Sequence, residues 1–170
     1  MKDAQCYVAQ FNFARIRAEV NDPIMLGFTS NLQRINRLAD EHPGFVWRLK
    51  TDKGDSIDIR PYDDDRLLVT FSIWESIESL KDFVYRHQHA EIMRSRRQWF
   101  EHIDGFYIVL WWVPVGYIPS IEEAKQRMEH LQTHGPTPFA FTFDERFPVT
   151  AVLERKEAEL AFNVAREVEL

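Results

Sequence analysis

The spacing of apolar residues changes period several times along the chain, and each change marks an element. From Gln5 to Ile16 the residues alternate, with Tyr7, Ala9, Phe11 and Phe13 to one side and Val8, Gln10 and Asn12 to the other. A period of two over that length predicts a half-buried strand. Asn12, a polar residue among rings, either contacts something inside a pocket or pairs with backbone at the strand end. Asp22-Pro23 starts a helix, with Asp22 as N-cap and Pro23 at the first helical position. Ile24, Phe28, Leu32, Ile35 and Leu38 then recur at helical spacing, and Pro43-Gly44 ends the run. Phe45 to Thr51 alternates again, with Phe45, Trp47 and Leu49 on one face and Val46, Arg48 and Lys50 on the other. Ile57 to Ile59 weakly extends a hairpin. Leu67 to Trp74 is almost continuously apolar, as expected of a strand covered on both faces. Ser76 caps a helix carrying Ile77, Leu80, Phe83 and Val84. A further helical stretch runs from His89 to Glu101, and Phe106 to Val115 is the last strand of the set.

The order is strand, helix, strand, strand, helix, strand. It predicts an α+β, ferredoxin-like split βαβ fold, an antiparallel sheet with its helices on one face. The inner strands are apolar on both faces, so the other side of the sheet also needs a cover. A second copy of the chain is the cheapest source, which predicts a homodimer closed into a two-sheet α+β barrel. Ser120 to His134 reads as an appended helix, with a capping box at Ser120 and Glu123 and a stripe of Ile121, Ala124, Met128 and Leu131. Phe139 to Phe143 alternates as a short strand. The expected division is a domain over 1–148, with its core at 5–115 and the appended helix and strand at 120–143. An amphipathic helical tail follows over 149–170.

Composition narrows the classes. The 170 residues are 45% hydrophobic and 28% charged, enough for one substantial core. A formal charge of −6 argues against nucleic acid or an anionic membrane surface as the partner. Cys6 is the single cysteine, so no intrachain disulfide forms and no thiolate cluster is possible. The apolar run from Phe106 to Val115 is about half the roughly 20 residues of a membrane-spanning helix. With no basic and apolar leader, the expected location is cytoplasmic. Asp63, Asp64 and Asp65 diverge along the chain and predict a solvated loop, not a metal site.

Candidate chemistry concentrates between Ser72 and Gly116. That stretch holds Trp74, Trp99, Trp111 and Trp112, four of the five tryptophans, with His87, His89, Arg94, Arg96 and Arg97. His89 is the candidate catalytic residue, because a neutral imidazole near its ordinary pKa can act as base, hydrogen-bond partner or metal ligand. The competing reading is that it packs at a helix junction. The arginines could hold an anion through bidentate pairing, or be a solvated face paired to Glu91, Glu101 and Asp104. Trp111 and Trp112 are adjacent in a strand, so they must face opposite sides. Asn12, Arg48, Trp74, Tyr85, Arg97, Trp99 and Trp112 are the candidate ligand contacts. No nucleophile elbow, phosphate loop, zinc spacing or dinucleotide fingerprint is present.

Five phrases carry a family resemblance: AQFNFARI (Ala9 to Ile16), HPGFVWRL (His42 to Leu49), SIWESIESLKDFVYRHQHAEIMRSRRQWF (Ser72 to Phe100), LWWVPVGYIPSIEEAKQRMEHL (Leu110 to Leu131) and HGPTPFAFTF (His134 to Phe143). In this order they resemble the DUF3291 family of the dimeric α+β barrel superfamily. The resemblance implies a ferredoxin-like subunit that pairs into a barrel. The wider superfamily includes monooxygenases that act on polycyclic aromatics without metal or flavin, haem-binding branches, and barrels without known chemistry. Three functions are therefore open: a monooxygenase-like enzyme on an aromatic or apolar substrate, needing no cofactor; a haem protein with His89 as axial ligand; and a non-enzymatic small-molecule-binding or structural dimer. The enzyme reading requires a pocket of a few hundred Å³ that reaches His89.

Overall fold

The computed structural model describes residues 6–150. Its sheet has β1 (Cys6–Arg15) paired antiparallel with β3 (Leu67–Trp74) and β4 (Ile108–Pro114), and β2 (Phe45–Arg48) outside β3. The order β2-β3-β1-β4 is the expected ferredoxin-like arrangement. Strand β3 occupies the span its continuous apolar run predicts. Val8 lies opposite Trp74 on one side and Trp112 on the other, and Phe11 opposite Phe71 and Val109. Because strand side chains alternate, this register fixes the contents of both faces.

Against one face lie α1 (Leu26–Asp40), α2 (Ile77–Tyr85) and α3 (His87–Ser95). Near α1 and α2, Val8, Trp74 and Leu110 pack with Ala39, Ile77 and Leu80. Further along the same face, Ile16, Leu68, Met25 and Trp99 form a second cluster with Phe28 and Ile92. The opposite face carries Ala9, Phe11, Phe71, Ile73, Trp111 and Val113, packed with Ala124, Met128 and Leu131 of α4 (Ile121–His134). Trp47, Leu49, Ile59 and Tyr62 close its margin. A second copy is therefore not what covers this face. The appended helix does so within the chain, together with the rings and aliphatic side chains at the margin. Trp111 faces α4, whereas Trp112 faces the α1–α2 side.

Several boundaries move for physical reasons. Asp22 accepts from Ile24 N at 2.9 Å as expected of the cap, but the first turn, Pro23–Met25, is a 3₁₀ helix. That tighter turn shifts the phase, so Met25 is buried and Ile24 is 52% exposed. Strand β2 stops at Arg48, and a bulge between Phe45 and Trp47 breaks the alternation. Phe45 thus joins the α1–α2 side while Trp47 and Leu49 turn toward α4, against the expectation that all three share a face. Residues 57–59 form no strand. Arg86, extended at φ −117° and ψ 164°, separates α2 from α3, which begins at His87 and tightens into a 3₁₀ turn over Arg96–Gln98. Helix α4 is capped by Ser120, whose Oγ accepts from Glu123 N at 3.1 Å. The expected strand at 139–143 is reduced to single bridges, Leu110 with Phe141 and Thr137 with Ala140. The helical tail expected over 149–170 lies, beyond residue 150, outside the described residues.

Candidate functional site

The sheet face under α1–α3 is interrupted by a polar band. Trp74 Nε1 donates to Ser72 Oγ at 2.9 Å, Ser72 Oγ donates to Gln10 Oε1 at 2.9 Å, and Gln10 Nε2 donates to Asn12 Oδ1 at 2.6 Å. The Thr70 hydroxyl also donates to Asn12 Oδ1. Gln10 is the buried polar residue of the described chain, at 6% exposure. The band follows from register, since Gln10 faces Ser72 and Asn12 faces Thr70 across β1 and β3. Asn12 thus pairs with side chains, not with strand-end backbone. Gln10 is buried, Ser72 and Asn12 are half-buried and Thr70 is exposed, so the band runs from the interior of the apolar layer to its solvent edge.

Next to the band is a row of rings. Trp74 stacks on Phe83 at 5.1 Å between centroids, and Phe83 lies 4.7 Å from His89. His89 Nδ1 bonds to the Val84 carbonyl at 3.0 Å. A carbonyl only accepts, so Nδ1 carries the proton, and in the neutral ring Nε2 keeps its lone pair. Burial lowers the His89 pKa from its ordinary value, and the Val84 bond opposes this in part. The imidazole is thus held neutral, and it ties the first turn of α3 back to the end of α2 across the break at Arg86. Among the described residues Nε2 has no hydrogen-bond partner.

That corner opens into a groove of about 690 Å³ lined by Val84, Tyr85, Ala90, Met93, Arg94, Arg96 and Arg97. Tyr85 is 56% exposed, with its ring edge on Phe143 at 5.7 Å. Burial raises its phenol pKa, with Tyr107 and Asp144 adding to the shift and Arg96 opposing it. Among the described residues Arg94, Arg96 and Arg97 form no ion pair with Glu91, Glu101 or Asp104, the partners of the competing expectation. Glu101 is bound to Arg66 and approaches Arg15 at 4.0 Å, and Asp104 pairs with His102 at 3.2 Å. A second groove, of about 710 Å³, lies between the start of α1 and the β2–β3 connection, lined among others by Asp22, Thr29, Gln33 and Asp55. His89 lines neither groove.

The structure brings some of the expected site residues together and scatters others. Asn12 and Trp74 are joined through Gln10 and Ser72, Trp74 reaches His89 through Phe83, and Tyr85 and Arg97 share the groove beside His89. Arg48 is a strut instead: its Nε and Nη2 bind Asp40 at 2.7 and 3.1 Å, and its Nη1 binds the Gly54 carbonyl at 2.7 Å. Trp99 sits in the separate cluster with Met25, and Trp112 donates to the Phe147 carbonyl at 2.7 Å. Neither lines the groove, although Trp112 packs in the same cluster as Trp74, Phe83 and Val84, beside His89. Met93, Ala90 and Gln10 were not singled out from sequence. Gln10 could have been, as a second polar residue facing the same way as Asn12.

Among the described residues no helix is long and apolar enough to cross a membrane, and no three His, Cys, Asp or Glu side chains are grouped to hold a metal. Residues 7–157 match the family model DUF3291, described as a domain of unknown function. No curated protein sequence matches the chain. Solved structures of similar outline include SnoaB, a cofactor-independent oxygenase from Streptomyces nogalater, at 15% identity and a TM-score of 0.45, covering 67% of this chain and 98% of that one. A conserved protein from Methanosarcina mazei Go1 has 10% identity and a TM-score of 0.47, covering 64% and 93%. A candidate antibiotic biosynthesis monooxygenase from Nitrosomonas europaea has 10% identity and a TM-score of 0.44, covering 69% and 96%.

Proposed function

Since the chain belongs to the DUF3291 family, for which no activity is described, we propose from its own geometry that it is a small-molecule-binding α+β protein. The ligand site is the groove at the α2–α3 corner. The observation that carries this reading is the His89–Val84 bond that ties the two helices together at the groove's edge. His89 pins Val84 to the start of α3, which sets the backbone spacing of Tyr85 against Ala90 and Met93 across the groove. In this reading His89 is a positioning residue. A monooxygenase-like reaction on an aromatic substrate with His89 as base draws support from the unprotonated Nε2, but it asks for a groove that reaches that atom, and His89 lines neither groove. Haem does not fit these residues. The arginines that would hold propionates line the groove, whereas His89 lies outside it with its ring against Phe83. A homodimer, where two copies meet, would use a surface other than the sheet face already covered by α4.

A thermal-shift screen of small aromatic and aliphatic molecules tests the reading. Compounds that raise the Tm of the wild type are expected to lose that effect on Tyr85→Ala and on Met93→Ala. Hits that stabilise both variants as well as the wild type would place the ligand elsewhere.

A further inference from the structure

The chain has an acidic surplus, with 27 acidic and 21 basic side chains, yet three arginines crowd one corner of it. Arg94, Arg96 and Arg97 lie within four residues at the end of α3, and Arg17 Nε donates to the Arg97 carbonyl at 2.9 Å, bringing a fourth guanidinium to the same corner. Of the nearby acids, Glu101 is bound to Arg66, Asp82 contacts Arg86 and His42, and Asp104 lies 3.2 Å from His102. Glu91 on α3 makes no ion pair with these arginines among the described residues. Among the described residues the guanidinium groups of Arg94, Arg96 and Arg97 form no ion pair. The negative end of the α3 dipole accounts for some of this charge, but one helix end offsets about half an elementary charge against three arginines. In α3 and its 3₁₀ extension, residues three apart are stacked, so Arg94 and Arg97 lie one above the other along the groove wall. Beside them Tyr85 offers an exposed ring and Met93 a half-buried thioether. Asp144 is the carboxylate near Tyr85, and among the described residues it makes no ion pair with these arginines.

We propose that the groove takes an amphipathic organic anion, its carboxylate, sulfonate or phosphate held by Arg94, Arg96 and Arg97 and its apolar body laid against Tyr85 and Met93. The inference rests on the groove being the ligand site. Guanidinium presents paired donors to such groups and stays charged at every working pH, so the site needs no metal to hold the anion. A neutral ligand would leave the like-charged arginines unrelieved, so the anionic group supplies the selectivity.

The test uses the full-length protein and two fluorescent probes, anilinonaphthalenesulfonate and phenylnaphthylamine, which share their rings and differ by the sulfonate. The sulfonate probe is expected to saturate one site, about tenfold or more tighter than the neutral probe. Arg96→Gln combined with Arg97→Gln should remove that advantage and leave the neutral probe unchanged, with circular dichroism unaltered. Tyr85→Ala should weaken both probes. Equal affinities, or sulfonate binding indifferent to the arginine substitutions, would overturn the anion assignment while leaving the groove as a ligand site. Absence of saturable binding by either probe, or binding of both that ignores Tyr85→Ala, would overturn the groove reading itself.

Discussion

The two faces of the sheet use opposite chemistries. Under α4 the packing is one apolar cluster from Ala9 to Leu131, with Trp111 fully buried in it. Under α1–α3 two apolar clusters are separated by the Gln10–Ser72–Asn12–Thr70 band, and the layer ends in a cationic groove. The first face is mainly apolar burial. Its polar exceptions are Arg127, which lies over the Trp111 and Phe139 rings and pairs with Glu123, and the Trp111 Nε1, which has no hydrogen-bond partner among the described residues. The second spends part of its area on polar groups that folding alone does not require, and that is where a ligand site is expected.

The largest test of this contrast is in α4. Leu131→Ala should cost about 2–5 kcal/mol by urea unfolding, with no change in particle mass by light scattering. A variant that stayed as stable but changed its mass would mean that the face is an interface between copies. A smaller effect is expected in the polar band. Gln10→Ala leaves the Ser72 hydroxyl without an acceptor and should cost roughly 1–3 kcal/mol. Replacing Gln10 by Met together with Ser72→Ala should recover most of that loss. If the double variant is worse than the single, the band is needed for folding and the contrast between the faces fails. Arg48→Ala, which breaks the strut to Asp40, should cost roughly 1 kcal/mol and leave probe affinity alone. A loss of affinity there would return Arg48 to the site.

The smallest effect is in pH dependence. His89 has its pKa lowered by burial, so below about 6.5 the unfolded chain takes up a proton that the folded chain resists. Its contribution is complete above that pH and is lost as pH falls through the folded value. His89→Gln should therefore show a flatter decline in stability between neutral and acid pH than the wild type. Parallel declines would mean that His89 is not held neutral.

The strand order and the α4 stripe were legible in the sequence because periods of two and near four survive in a single chain. The cover of the second face was misread because the stripe of Ala124, Met128 and Leu131 says that a helix buries something without saying what. The site was legible only in part. Tyr85, Arg97 and His89 are neighbours in the chain and stay neighbours in the fold. Trp99 and Trp112 were grouped with them by their chemistry, yet their positions depend on which sheet face and which cluster each strand or turn serves. The bulge at Phe45–Trp47 and the 3₁₀ turn at Pro23–Met25 each reverse the facing of a residue, and neither has a composition signal of its own.

Three methionines sit one to a region: Met128 under α4, Met25 with Trp99, and Met93 in the groove. Methyl NMR of methionine-labelled protein, titrated with anilinonaphthalenesulfonate, tests the central claim most directly. The Met93 signal is expected to shift in proportion to occupancy while those of Met25 and Met128 stay in place. A titration that moved Met128 or Met25 and left Met93 still would contradict it.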